Sequence, residues 1–91
     1  PTAILGANDV VAAGVLKAAQ RLGLKIPEDL AVVGFDDSTI CGVVEPELTS
    51  VHIDCRRIGE LGVDHLHALL NGEECPPVTV VPAKLRIRRS S

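Results

Sequence analysis

Two short apolar runs bracket a helical pattern in the first third of the chain. Thr2 to Ala7 (T-A-I-L-G-A) and Leu30 to Phe35 (L-A-V-V-G-F) are apolar at nearly every position. Neither alternates, so each predicts a strand covered on both faces. Between them, Val10 to Leu22 predicts a helix. Its polar residues Lys17, Gln20 and Arg21 share one face at i, i+3 and i+4, while Val10, Val11, Ala12, Ala13, Val15, Leu16, Ala18 and Ala19 make the rest apolar. Asn8 or Asp9 is placed to cap its start, and Gly23 to end it in a left-handed conformation. Gly14 lowers helix propensity by about 1 kcal/mol, which a close helix contact would justify. Strand, helix and strand with compact connections make a βαβ unit, whose strands pair in parallel through a right-handed crossover.

The pattern loosens after Asp36-Asp37. Residues 38–50 carry no clean period and are broken by Gly42 and Pro46, so they read as loop with one helical turn. Val51 to Asp54 is a short strand candidate. Cys55 to Leu70 is a second amphipathic helix, with Ile58, Leu61, Gly62, His65, Leu66, Leu69 and Leu70 on one stripe. Asp54 can cap it, and Asn71-Gly72 stops it. Glu73 to Pro77 is a turn, and Val78 to Val81 is extended. Lys84 to Arg88 alternates apolar Leu85 and Ile87 with Lys84, Arg86 and Arg88, as a one-sided edge strand does. The fold class is therefore α/β, a partial doubly wound parallel sheet.

Composition narrows the function. Ninety-one residues make one small domain, and 46% hydrophobic residues against 23% charged excludes a disordered tail. With one Phe and no Trp, Tyr or Met, aliphatic side chains must build the core, and such a light core favours a partner surface. A net charge of −3 and the lack of aromatic platforms exclude a general nucleic-acid binder. No apolar run reaches the roughly 18–20 residues of a membrane span. The start has neither an initiator Met nor the charged region of a signal peptide, so the chain reads as a piece of a longer protein cut at a strand. Cys41, Cys55 and Cys75 are odd in number and widely spaced, as ordinary thiols in a reducing cytoplasm would be.

Chemistry is expected where parallel strands end. In open parallel sheets ligands bind beyond the carboxyl ends of the strands. Both runs finish in polar residues there, Asn8-Asp9 and Asp36-Asp37. An amide that donates and accepts beside a carboxylate that accepts suits a small polyhydroxylated or amide-rich ligand, a sugar or a nucleobase. The plainer alternative is that Asn8 and Asp9 cap a helix while Asp36-Asp37 open a loop. Metal-assisted phosphoryl transfer on Asp9, Asp36 and Asp37 lacks an accompanying phosphate loop. His65-x-His67 lacks the i, i+4 spacing of a zinc pair, and Cys55 lacks an identifiable base. No catalytic residue, metal or cofactor is expected.

The segments P-T-A-I-L-G-A-N-D-V-V-A-A-G-V-L-K-A-A (1–19), L-G-L-K-I-P-E-D-L-A-V-V-G-F-D-D (22–37) and E-P-E-L-T-S-V (45–51) carry a resemblance. With I-G-E-L-G-V-D-H-L-H-A-L-L-N-G-E (58–73) and P-A-K-L-R-I-R-R-S-S (82–91), they resemble the C-terminal part of the effector-binding core of LacI/GalR bacterial transcriptional regulators. The joint spacing of A-N-D, I-P-E-D and V-G-F-D-D is the specific feature. The resemblance implies a fragment of a periplasmic-binding-protein-like type I fold, in which two α/β lobes enclose a small effector. It implies residues 1–53 in the C-terminal lobe, 54–81 in the other and 82–91 as a return strand. It implies effector contacts at Asn8, Asp36, Ile53 and Cys55, a homodimer interface at Ala13 and Val44, and a cytoplasmic protein. Operator DNA would be bound only through an N-terminal domain outside this chain. The alternative is a fragment of a periplasmic-type sugar-binding transport protein.

Overall fold

The computed structural model describes residues 1–91. The elements are β1 (Ala3–Leu5), α1 (Asp9–Arg21), β2 (Ala31–Asp36), a 3-10 turn (Thr39–Gly42), β3 (Thr49–His52), α2 (Cys55–Leu70) and β4 (Lys84–Arg86). They build an α/β fold on one sheet in the order β1-β2-β3-β4. β1 pairs with β2 in parallel (Ile4 opposite Val32), and β2 with β3 in parallel (Gly34 opposite Ser50). β4 closes the sheet antiparallel to β3, with Leu85 opposite Val51.

Both helices have the ends predicted from their caps. Asn8 is extended, and its side-chain oxygen accepts from the Val11 amide at 2.9 Å. Past α1, Gly23 takes φ +72° while the Leu24 amide bonds the Ala19 carbonyl at 3.0 Å. Asp54 caps α2 by accepting from the Arg57 amide at 2.9 Å. Gly72 at φ +73° and the Glu73–Ala68 bond at 2.9 Å end it the same way.

Contacts divide the chain into two units, residues 1–53 with 84–91, and residues 54–83. In the first, Ala12, Leu16 and Ala19 of α1 bury against Leu30, Val32, Cys41 and Leu48. In the second, no residue of α2 is fully buried. Ile58, Leu61, Gly62 and His65 face a groove of about 340 Å³ shared with Thr79 and Val81. Residues 78–81 form no strand.

Two expectations shift. The third strand begins at Thr49 rather than Val51, because its pairing with β2 starts at Val33–Thr49. The basic end is not a solvated edge strand through Arg88. β4 stops at Arg86, and the chain continues past Thr49 to Glu47, where the Arg89 and Ser90 amides bond the Glu47 carbonyl. There Ser90, fully buried, accepts from the Thr49 amide and donates to the Val32 carbonyl through its hydroxyl.

Candidate functional site

The parallel strands place three polar groups at one rim. Because β1 and β2 are neighbours running in the same direction, Asn8, just past β1, and Asp36, the last residue of β2, both lie at carboxyl ends of strands. Asn8 is exposed, although its oxygen is engaged in capping. Asp36 is exposed at φ +102°, followed by Asp37 at φ +54°. Two consecutive non-glycine residues with positive φ are a strained corner, at about 1–3 kcal/mol each. The side-chain bonds at this corner go to Asp37, so the Asp36 carboxylate is left facing solvent.

A buried polar network adjoins the corner. Asp9 is only 2% exposed. Its carboxylate accepts from the Ser38 amide at 2.6 Å and the Ser50 hydroxyl at 2.5 Å. The Ser50 oxygen accepts in turn from the Asp37 amide at 3.0 Å. Burial works against charge on Asp9, yet the bonds from Ser50 and Ser38 outweigh it and hold the carboxyl below the usual range. Burial also raises the Cys41 thiol, and the neighbouring Asp9 raises it further. Gly34 makes room for this arrangement, since a Cβ there would run into the Asp9 carboxylate.

The Asp37 side chain takes Arg88 Nη2 at 2.6 Å and His52 Nδ1 at 2.9 Å, with Arg86 Nε at 3.6 Å. Arg88 Nη1 also donates to the Leu48 carbonyl at 2.9 Å. Burial again opposes ionisation of Asp37, but Arg88 and His52 outweigh it and lower its pKa. The same bond to Asp37 raises Arg88.

β3 runs parallel to β2 with His52 opposite Asp36, so its carboxyl end lies at the same rim. Ile53, half-buried, follows β3, and Cys55 opens α2 exposed. Ala13 and Val44 line one groove of about 490 Å³ with Val10, Leu16 and Ile40. Asp9, Asp36 and Asp37 do not converge, and no group of three His, Cys, Asp or Glu side chains is assembled for a metal. No helix is long and apolar enough to cross a membrane. The Asp9–Ser50–Asp37–Arg88 network went unforeseen. One signal for part of it was available, because Asp9, Ala12, Leu16 and Ala19 form a single helical stripe, which places Asp9 on the buried face.

A mostly parallel sheet led by a βαβ unit, with polar residues at its carboxyl rim, defines the class of α/β ligand-binding domains. The model of the periplasmic binding protein-like domain matches residues 1–91. The regulator of the NTD biosynthesis operon from Bacillus subtilis (strain 168), NtdR, is 41% identical over the whole chain, which covers 28% of that protein. A lactose operon repressor of Rhizobium radiobacter is 38% identical, with 100% of this chain and 80% of that sequence aligned. A crystal structure of the lac repressor dimer bound to operator and the anti-inducer ONPF superposes with a TM-score of 0.95. It is 35% identical over 100% of this chain and 32% of that one. The chain belongs to the periplasmic binding protein-like domain family and is a fragment of a LacI-type effector-binding core. It spans less than a third of the length of NtdR. These relatives are transcriptional regulators and repressors, not enzymes.

Proposed function

We propose that this chain is the C-terminal part of the ligand-sensing core of a cytoplasmic, dimeric transcriptional regulator. Its effector is a small polyhydroxylated or amide-bearing molecule, a sugar or a nucleobase derivative. Operator DNA is contacted by a separate N-terminal domain. The observation that carries the reading is the Asp36 carboxylate, held at the end of β2 and left facing solvent while its neighbour Asp37 is consumed by Arg88 and His52. Asn8 stands beyond the adjacent strand and offers its amide nitrogen as a donor. Ile53 and Cys55 complete the assigned contacts on the strength of the family resemblance.

Residues 1–53 are assigned to the C-terminal lobe, 54–81 to the other lobe and 82–91 to the return strand. The division of contacts near Ile53 and Ala83 supports that assignment. Dimerisation is assigned to α1 and the segment after β2. The groove shared by Ala13 and Val44 supports it, as does Val10, an apolar residue 68% exposed on its border. Effector binding would shift the population between operator-competent and incompetent states.

The test is calorimetry on the full-length protein with lactose, cellobiose and purine bases, followed by Asp36→Ala with whichever binds. Losing a hydrogen bond to a charged group costs about 1.5–3 kcal/mol, so affinity should fall roughly ten- to 150-fold. Unchanged affinity would remove Asp36 from the site. Transport is the second reading, and a secretory signal upstream of Pro1 in place of a helix-turn-helix would favour it.

A further inference from the structure

We propose that Arg88 is a positioning residue for the effector site: by clamping Asp37 it holds the positive-φ corner that turns the Asp36 carboxylate outward. The inference rests on the reading of Asp36 as an effector contact and adds the device that aims it.

Positive φ at two consecutive aspartates persists only where the surroundings over-determine it. Here the corner is held through both backbone and side chain. Ser50 takes the Asp37 amide and Asp9 takes the Ser38 amide. The Arg88 guanidinium spans two acceptors, Asp37 Oδ1 and the Leu48 carbonyl. A guanidinium fork fixes direction as well as distance, which a point charge does not. Asp37 is thereby immobilised, with a side chain 9% exposed, while Asp36 is free to meet a ligand. The two carboxylates of the doublet divide the work, one structural and one displayed. Arg88 reaches the corner from the far end of the chain, after residues 54–83 have left and returned. A displacement of the returning segment is therefore felt at Asp36 without any contact to the ligand.

Hydrogen exchange on the full-length protein without effector tests this, read by mass spectrometry with fragmentation to single amides. In Arg88→Met, protection of the Asp37 and Ser38 amides should fall about tenfold, as local opening does. The Gly6 amide, bonded to the Val33 carbonyl in the same sheet, should keep its protection. Arg88→Lys should recover part of the loss, since an ammonium can hold one acceptor but not the fork. Asp37→Asn keeps the side-chain shape and serves if Arg88→Met does not fold. The double variant should lose less than the sum of the two single losses. Unchanged protection at Asp37 and Ser38, an equal loss at Gly6, or additive losses in the double variant would each overturn the clamp. An exchange response alongside an Asp36→Ala variant of normal effector affinity would instead overturn the effector reading and leave the clamp standing.

Discussion

Asp9→Ala is expected to lower unfolding free energy by about 3–5 kcal/mol, a large part of the roughly 5–15 kcal/mol that holds a domain together. The carboxylate is buried and accepts from Ser38 and Ser50. Each such bond to a charge is worth about 1.5–3 kcal/mol, and truncation leaves the buried Ser50 hydroxyl without its acceptor. Asp9→Asn should cost less, because one oxygen remains to accept. The effect carries a pH signature. Asp9 and Asp37 both have folded-state pKa values below the ordinary range. Their contribution is thus complete above the unfolded carboxyl pKa of about 4 and is lost as pH falls through the lowered folded values. Urea denaturation between neutral pH and pH 2 should show the natural protein losing stability below about pH 4. Asp9→Asn, weaker at neutrality, should lose less over that window. A neutral-pH loss of under about 1 kcal/mol for Asp9→Ala would mean that the network contributes nothing net.

Gly34→Ala carries the second large effect, about 3 kcal/mol, through overpacking rather than lost bonds. The added methyl would overlap the Asp9 carboxylate and come within 2.9 Å of Leu48 Cδ2 and 3.3 Å of Asp9 Cα. Relief requires Asp9 to leave Ser50 and Ser38, so the two substitutions are coupled. In an Asp9→Ala background, Gly34→Ala should cost at least 1 kcal/mol less than it does alone, the size of coupling expected of residues in contact. Gly59→Ala is the control. Nothing lies within 4 Å of a Cβ there, and a helical alanine should be neutral or slightly stabilising. Thermal or chemical melts of the natural protein, the two single variants, their double and the Gly59→Ala control decide it. Strict additivity would show that Gly34 is present for some reason other than making room for Asp9.

The elements were largely legible because local rules set their ends, but burial was not: β1, expected to be covered on both faces, leaves Leu5 67% exposed, and no residue of α2 is buried. Asn8 and Asp54 are caps by chemistry, Gly23 and Gly72 are stops by their freedom at positive φ, and the two apolar runs pair as parallel strands. What escaped depends on register and distance. Nothing local announces that Ser50 pairs opposite Gly34 and so comes to lie against Asp9. Nor does alternation in Lys84 to Arg88 reveal that Arg88 turns inward to Asp37, because its partner is fixed by the fold and not by sequence neighbours. The doublet Asp36-Asp37 was legible as a rim. The residue pattern alone did not separate the two carboxylates, and only the resemblance singled out Asp36; that Asp37 is tied to Arg88 and His52 follows from the positive-φ corner.

The pairing of His52 with Lys84 across β3 and β4 has a consequence for how such a protein can be edited. Everything from Asp54 to Ala83 departs from and rejoins the sheet at facing positions of antiparallel neighbours. A tight hairpin turn of about two residues suffices to bridge strands so related. Residues 54–83 are in that sense a cassette with its splice points side by side, open to exchange for a different segment without rethreading the sheet that receives it.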